Sequence, residues 1–274
     1  MTRSIAFIGG GNMACAIIGG LRKNDPAAPI VVIEPYAEAR AKLQRDFNIG
    51  AAANADATLS DAGLVVWAVK PQSFQEAAAP VRAYTRNALH LSVAAGIRSD
   101  SISAWLGTEH IIRCMPNTPA LIGKGITGLY ARPTVTASQR EWAQSVIATT
   151  GDTLWLEHED QLDAVTALSG SGPAYVFFFI EAMTAAGVEM GLPAAQAQQL
   201  AVATFIGAGE LAAASDEPPE VLRQRVTSKG GTTYAAISSM EASGIKERFV
   251  AALHAARSRA QELGAPPTAI TRSV

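Results

Sequence analysis

A glycine-rich turn near the N-terminus constrains the fold more than any other feature of the sequence. The run "SIAFIG" has the composition of a strand, and it is followed by Gly9-x-Gly11-x-x-Ala14 and a helical pattern. In such a turn Gly9 permits the tight bend, Gly11 lets the backbone approach a pyrophosphate, and the small residue at 14 lets helix and strand touch. The pattern predicts a dinucleotide site at the helix N-terminus. An ordinary glycine turn of an α/β protein is the alternative.

The first half of the chain alternates between strand-like and helix-like segments. The strand-like runs are "SIAFIG", "PIVVIE", "GLVVWAV", "ALHLSV", "HIIRCM" and "ITGLYA". This alternation predicts an α/β Rossmann domain with a doubly wound, mostly parallel sheet over residues 1–158. After about residue 160 the patterns are helical, so residues 159–274 are predicted to form an all-α domain. The last ten residues, "APPTAITRSV", carry no pattern and are expected to be loose.

The composition favours a small-molecule partner. Charged residues make up 17% of the chain and the formal net charge is −2, so the sequence indicates neither nucleic-acid nor membrane binding. Cys15 and Cys114 lie in apolar segments without paired spacing, which indicates buried thiols in a cytoplasmic protein. The most apolar window, "AYVFFFIEAMTAAGV", is expected to be a buried helix too short to span a membrane. No spacing typical of a metal site is found.

The end of the second predicted strand bears on which dinucleotide binds. Glu34 lies about 20 residues past the glycine turn, where a carboxylate binds ribose hydroxyls and repels a 2′-phosphate, favouring NADH. Arg40 lies within reach of the same strand end and could neutralise a 2′-phosphate, or it lies on a solvated helix face. The residues therefore leave the preference open.

The carboxyl ends of the other strands supply the remaining cofactor candidates, because dinucleotides bind at that edge of a parallel sheet. Lys70 is predicted to contact cofactor phosphate or ribose, or to be a surface lysine. Asn54 is predicted to border the adenine, or to be an ordinary loop residue. Together the predicted cofactor-binding residues are Gly9, Gly11, Asn12, Met13, Ala14, Glu34, Asn54, Ala68, Val69, Lys70, Pro71, Ala94, Ala95 and Asn117.

A second anion-binding pattern interrupts the helical half. The run "TSKGGTT" occupies residues 227–233, and Gly230 and Gly231 allow successive N–H groups to point in one direction. A helix that begins near Thr232 would add its positive end. The alternative is a simple helix cap by a hydroxyl side chain, which needs only one hydroxyl.

Five separated motifs in register resemble the pyrroline-5-carboxylate reductase family. They are "FIGGGNMA", "AVKP", "RCMPNTP", "LSGSGPAYVFFFIEA" and "TSKGGTT", and the resemblance runs from about residue 4 to 264. It implies reduction of 1-pyrroline-5-carboxylate to L-proline, with NADPH as cofactor and NADH possible. It also implies a homodimer through the C-terminal helices, active sites shared between subunits, and in some members a ring of five dimers.

The resemblance assigns substrate-binding roles within residues 227–233. The residues concerned are Ser228, Gly230, Gly231, Thr232 and Thr233, with Glu159 as a weaker candidate on the opposite wall. Thr233 is the catalytic candidate, its hydroxyl steadying the ring nitrogen or relaying a proton. Lys229 departs from the family, many members of which have proline there, and it lies either against the substrate or in solvent.

The chemistry is consistent with an imine substrate. β-Hydroxyacid dehydrogenases place a catalytic lysine four residues after a Gly-x-Gly pair, whereas here Gly170-x-Gly172 is followed at that spacing by Val176. Alcohol oxidation needs a base, but a protonated imine is already electrophilic. A reductase of another imine and a dinucleotide-sensing regulator are the alternatives.

Overall fold

An eight-stranded sheet forms the first part of the structure. The computed structural model describes residues 4–264, so the tail that was predicted to be loose lies outside the described residues. The strands are β1 (Ser4–Ile8), β2 (Ile30–Ile33), β3 (Ala51–Ala52), β4 (Ala62–Trp67), β5 (Leu89–Ser92), β6 (Ile111–Met115), β7 (Gly125–Ala131) and β8 (Gly151–Trp155). Their order across the sheet is β3-β2-β1-β4-β5-β6-β7-β8.

The sheet has the predicted doubly wound, mostly parallel topology. All neighbouring strands pair in parallel except β6 and β7, which are antiparallel. The order 3-2-1-4-5-6 reverses between β1 and β4, the place where such sheets bind dinucleotides. All six strand-like runs form strands, and the structure adds β3 and β8. β3 has only two residues, and β8 lies at the sheet edge with alternate residues exposed, so neither leaves an apolar run in the sequence.

Helices cover both faces of this sheet. They are α1 (Asn12–Asn24), α2 (Ala37–Phe47), α3 (Phe74–Val81), α4 (Ser99–Leu106), α5 (Ala137–Ile147) and α6 (Gln161–Val165). Successive residues of β1 point to opposite faces: Phe7 joins a core with α1 and α5, whereas Ala6 and Ile8 join a core with α3 and α4. The strands are therefore buried on both sides, which explains their continuous apolar runs.

A buried histidine links two central strands. The Trp67 indole N–H donates to His90 Nδ1 at 3.0 Å, and His90 Nε2 lies 3.1 Å from the Thr85 carbonyl oxygen. With Nδ1 accepting, Nε2 carries the proton, so the ring is neutral. Burial lowers the pKa of His90 to about 4, because a charged imidazolium would lose its hydration there.

The described chain divides into two compact units, one formed by residues 4–170 and 256–264 and the other by residues 171–255. The predicted domain boundary after residue 158 lies earlier than this division. Residues 159–170 belong to the first unit because α6 packs against β6 and β7, and the π-helical turn Thr166–Gly170 continues directly from α6. For example, a Cβ on Gly128 of β7 would touch Val165 of α6 at 3.1 Å.

The second unit is helical. Its elements are α7 (Gly172–Glu189), α8 (Ala194–Ala213), α9 (Pro219–Arg225), α10 (Thr232–Ala242) and α11 (Ile245–Gly264), the last of which continues into the first unit. Within residues 171–255 only Gly187, Ala197 and Ala201 are buried. Large apolar side chains are exposed instead, among them Phe177 (59%) and Phe178 (66%). The expectation that this apolar stretch is buried is therefore wrong for the single chain.

One helical stretch has the length and apolar character needed to cross a membrane. Gln161–Glu189 has 29 residues, and only 6% of its most apolar 18-residue window is buried. The expectation that the segment is too short is therefore also wrong. Length and composition alone do not distinguish a membrane span from a helix covered by another protein surface.

Candidate active site

The glycine turn lies between β1 and α1. Gly9 has φ of +96°, and a Cβ there would lie 2.6 Å from the Ala68 carbonyl oxygen, so only glycine fits without strain. Ala14 is fully buried, which allows α1 to pack closely on the strands. Gly11 has an ordinary φ of −72°, and no atom lies within 4 Å of the place where its Cβ would be. The tight bend and the close packing are thus present, and Gly11 borders open space.

The N-terminus of α1 presents free backbone donors beside that space. Its N-cap residue is Gly11, which has no side-chain cap. The N–H of Cys15 is the first to bond within the helix, to the Gly11 carbonyl at 2.9 Å. The amides of Asn12, Met13 and Ala14 precede it and therefore have no helical acceptor. Together with the helix dipole, these donors suit a phosphate group.

Glu34 is turned towards the protein. Its carboxylate accepts the Gly10 N–H at 2.7 Å and the Tyr36 N–H at 2.8 Å, and the residue is only 5% exposed. In this conformation Glu34 fixes the glycine turn, and the ribose contact predicted for it stays a prediction. Arg40 lies at the strand end, because its Nη1 donates to the carbonyls of Glu34 (2.9 Å) and Pro35 (2.7 Å).

The other cofactor candidates lie at the same edge of the sheet. Ala68 and Val69 follow β4, and the hypothetical Cβ of Gly9 would touch both residues. Lys70 and Pro71 follow them and are exposed, as is Asn54 after β3. After β5, Ala94 is buried and Ala95 half-buried. The parallel strands therefore gather the predicted set at one edge.

Asn117, another predicted cofactor-binding residue, makes a hydrogen bond within the protein. It follows β6, and its Oδ1 accepts the Ile126 N–H of β7 at 3.0 Å. This bond fixes the loop between the two antiparallel strands. The side chain is half-buried, and its predicted contact with the cofactor stays a prediction.

Glu159 lies in the first unit, and both oxygens of its carboxylate accept hydrogen bonds there. Oε1 accepts the Ser99 N–H at 2.6 Å and Arg113 Nη1 at 2.7 Å, and Oε2 accepts the Ser99 hydroxyl at 2.8 Å. Burial raises the pKa of Glu159, but the hydrogen bonds from Ser99 and Arg113 outweigh it, so the net pKa lies below its ordinary value. These contacts make Glu159 an internal anchor of the first unit, and its predicted contact with the substrate stays a prediction.

The loop at residues 227–233 ends in an open helix N-terminus. Gly230 has φ of +76°, which lets the Gly231 N–H bond the Ser228 carbonyl at 3.0 Å. A Cβ on Gly231 would lie 2.8 Å from Ser228 Oγ, so the hydroxyl lies directly beside the turn. Helix α10 then begins at Thr232, with Gly231 as its N-cap and no side-chain cap. The hydroxyl-cap alternative is therefore wrong.

The loop's first helical amides and hydroxyls remain available. The first helical hydrogen bond joins the Ala235 N–H to the Gly231 carbonyl at 3.1 Å, which leaves the amides of Thr232, Thr233 and Tyr234 without a helical acceptor. Within the described chain, the Thr233 hydroxyl has no hydrogen-bond partner. Lys229 is exposed and takes part in none of the ion pairs found over residues 4–264. The arrangement can hold a small anion such as a carboxylate.

Sequence patterns did not reveal the buried partners of the predicted residues. Ser99 lies outside the five motifs, and the motif that begins at Arg113 did not indicate a partner for it; both residues contact Glu159 across 60 and 46 residues of chain, respectively. Among residues 4–264 no group of three or more His, Cys, Asp or Glu side chains could hold a metal ion.

Two family models match the chain. One, described as pyrroline-5-carboxylate reductase dimerisation, matches residues 159–263, which includes the whole helical unit and the loop at 227–233. The other, described as NADP oxidoreductase coenzyme F420-dependent, matches residues 4–96, which include the glycine turn and the strand ends up to β5.

Similar proteins extend over nearly the whole chain. A pyrroline-5-carboxylate reductase of Pseudomonas aeruginosa is 47% identical over 267 residues, covering 96% of this chain and 97% of that protein. The structure of such a reductase from Coxiella burnetii has a TM-score of 0.90 at 37% identity and covers 97% and 100% of the two chains. The structure of pyrroline carboxylate reductase from Plasmodium falciparum, with NADP bound, has a TM-score of 0.84 at 25% identity and covers 96% and 98%.

Proposed function

The chain belongs to the pyrroline-5-carboxylate reductase family, and on that premise we propose how its residues carry out the reaction. The enzyme reduces the C=N bond of 1-pyrroline-5-carboxylate to give L-proline, the last step of proline biosynthesis, and NADPH is the hydride donor. The open N-terminus of α10, preceded by two glycines, is the observation that carries the assignment of residues to the substrate.

The cofactor edge of the sheet fits NADPH. The open space beside Gly11 and the free amides of α1 suit the pyrophosphate, while Ala94 and Ala95 leave room for a planar nicotinamide. Arg40 brings positive charge to the end of β2, and the inward orientation of Glu34 removes the carboxylate that would repel a 2′-phosphate. When bound, NADPH supplies the hydride that adds to the C=N carbon. Use of NADH as well stays a prediction.

The substrate has a carboxylate and, in its reactive form, a protonated ring nitrogen. Its carboxylate is assigned to the amides of Thr232 and Thr233 and to the Ser228 hydroxyl, because these donors converge at one helix N-terminus. The Thr233 hydroxyl steadies the ring nitrogen or relays a proton to it. No base is required, since a protonated imine is already electrophilic, so orientation accounts for most of the acceleration. The valine at 176 in place of a catalytic lysine agrees with this chemistry.

A matched pair of variants tests the role of Thr233. NADPH oxidation is followed by absorbance with pyrroline-5-carboxylate as substrate. Thr233→Ala should keep NADPH affinity within about twofold and lose about 10²-fold in kcat/KM, the usual size of a positioned proton donor. The control is Thr204→Ala, because the Thr204 hydroxyl bonds its own helix at Leu200 (2.8 Å). Equal turnover in the two variants would show that Thr233 has no catalytic role.

The helical unit functions as a homodimer in this proposal. Residues 171–255 bury almost no side chains alone, yet α7 exposes phenylalanines and a groove of about 440 Å³ is lined largely by apolar groups. A second copy of the chain covers these surfaces and accounts for the apolar stretch without a membrane. The proposal includes a cytoplasmic location, supported by the buried free thiols of Cys15 and Cys114, and assembly of dimers into a ring of five.

A further inference from the structure

Glu159 caps a helix that is distant in sequence. Helix α4 begins at Ser99, and its N-cap residue, Arg98, provides no side-chain cap. The Ser99 N–H, which has no acceptor within the helix, donates to Glu159 Oε1. A carboxylate at this position also interacts favourably with the positive end of the helix dipole. Glu159 therefore fixes where α4 starts.

The start of α4 is one end of a short turn that leaves β5. At the other end, the Val93 N–H bonds the Trp67 carbonyl at 3.1 Å. Between them Ala94 is 5% and Ile97 is 8% exposed. Gly96 has φ of +76°, and a Cβ there would lie 3.1 Å from Leu263. The turn is thus packed along its length, and Glu159 holds its far end.

The same carboxylate neutralises a buried cation on the next strand. Arg113 of β6 is 5% exposed, and Glu159 provides the ion pair of its side chain. Arg132 Nη1 also donates to the Ser99 hydroxyl at 3.0 Å. Glu159 thereby ties β6 to the N-terminus of α4, so a change in its charge is transmitted to the residues that leave β5.

We infer that Glu159 is a positioning residue for hydride transfer: it holds the N-terminus of α4 and so fixes Ala94 and Ala95, against which the nicotinamide is placed. The inference rests on the proposed function, because it takes the turn after β5 as the nicotinamide end of the cofactor site. A purely structural ion pair would stabilise the fold without affecting the reacting atoms, and the two roles differ in what a conservative variant changes.

The test compares Glu159→Gln with Glu157→Gln in the full-length enzyme. Glutamine keeps an oxygen for the Ser99 N–H but removes the charge that holds Arg113. Glu157 undergoes the same change two residues away, on an exposed side chain. We expect Glu159→Gln to lose about 10- to 100-fold in kcat at saturating substrates, since small misplacement of reacting groups has effects of this size. Affinity for adenosine 2′,5′-bisphosphate, which lacks the nicotinamide, should stay within about twofold. Glu157→Gln should match the wild type in both.

Two further measurements distinguish a positioning role of Glu159 from a purely structural role and from failure of the proposed function. The deuterium isotope effect on kcat with 4-deuterated NADPH should rise in Glu159→Gln, because hydride transfer becomes slower relative to the other steps. If Glu159→Gln does not fold, Ser99→Ala removes only the hydroxyl bonds and should still lower kcat severalfold. A lower melting temperature with unchanged kcat and isotope effect would overturn the inference. An inactive wild type would instead refute the proposed function.

Discussion

Replacing Gly11 by alanine is expected to abolish tight NADPH binding while leaving the fold intact. The backbone at Gly11 has φ of −72°, which alanine adopts freely, and no atom lies within 4 Å of the new methyl group. Alanine is a somewhat poorer N-cap than glycine, but it also reduces the entropy of the unfolded chain. These opposing terms leave the free energy of unfolding within about 1 kcal/mol of the wild type. The methyl group instead occupies the space assigned to the pyrophosphate.

Replacing Gly9 by alanine should instead lower the free energy of unfolding. Its φ of +96° is strained for alanine, and the methyl group would lie 2.6 Å from the Ala68 carbonyl oxygen. Strain of about 1–3 kcal/mol and overpacking of about 1–3 kcal/mol together lower the free energy of unfolding by roughly 2–6 kcal/mol. Gly9→Ala is therefore the control for general damage to the turn.

Thermal unfolding with and without NADPH measures both effects. At a concentration of 100 times its Kd, NADPH stabilises the wild type by about 2.7 kcal/mol. If Gly11→Ala weakens binding about 100-fold, the same concentration adds only about 0.4 kcal/mol. Its melting temperature without NADPH should match the wild type, whereas Gly9→Ala should melt several degrees lower. An intact NADPH shift in Gly11→Ala would refute the assignment of the pyrophosphate to this turn.

Two further predictions concern stability and assembly. Because the folded pKa of His90 is about 4 and the unfolded pKa about 6.5, the unfolded state binds more protons between these values, and stability is lost as the pH falls through that window. In urea unfolding at fixed protein concentration, the stability advantage of the wild type over His90→Gln should shrink by about 2 kcal/mol between pH 7.5 and pH 5; a constant difference would show that His90 does not titrate as described. Phe178→Asp places a charge on the exposed apolar face of α7 and should reduce the dimer to monomer or unfolded chain in sedimentation experiments; an unchanged dimer would exclude this face from the interface.

The sequence predicted the sheet and the edge at which the candidate cofactor residues gather, because both depend on local patterns. Apolar runs mark strands that are buried on both faces, and the bend at Gly9 follows from its φ of +96°. The contacts that orient side chains at this edge were harder to predict from the sequence. Glu34 was expected to face a ribose, but the Gly10 and Tyr36 amides compete for its carboxylate. No spacing rule indicates which acceptor a strand-end carboxylate takes.

The partners of Glu159 could not be predicted from sequence patterns either. Its neighbourhood in sequence suggested a wall of the substrate site, whereas the structure binds both of its oxygens to Ser99 and Arg113. These partners come from α4 and β6, and only the completed sheet brings them together. Short-range patterns therefore singled out Glu159 but did not indicate which residues it binds.

The helical unit explains why apolar sequence did not mean burial in one chain. A hydrophobic pattern reflects the total surface that is removed from water, including surface covered by a partner. The first unit has two cores of its own, whereas residues 171–255 bury only Gly187, Ala197 and Ala201. With the proposed dimer as the premise, we expect folding of that unit, and with it the loop that ends at Thr233, to depend on the second subunit. Loss of the dimer should consequently abolish binding of the substrate carboxylate before it abolishes binding of NADPH.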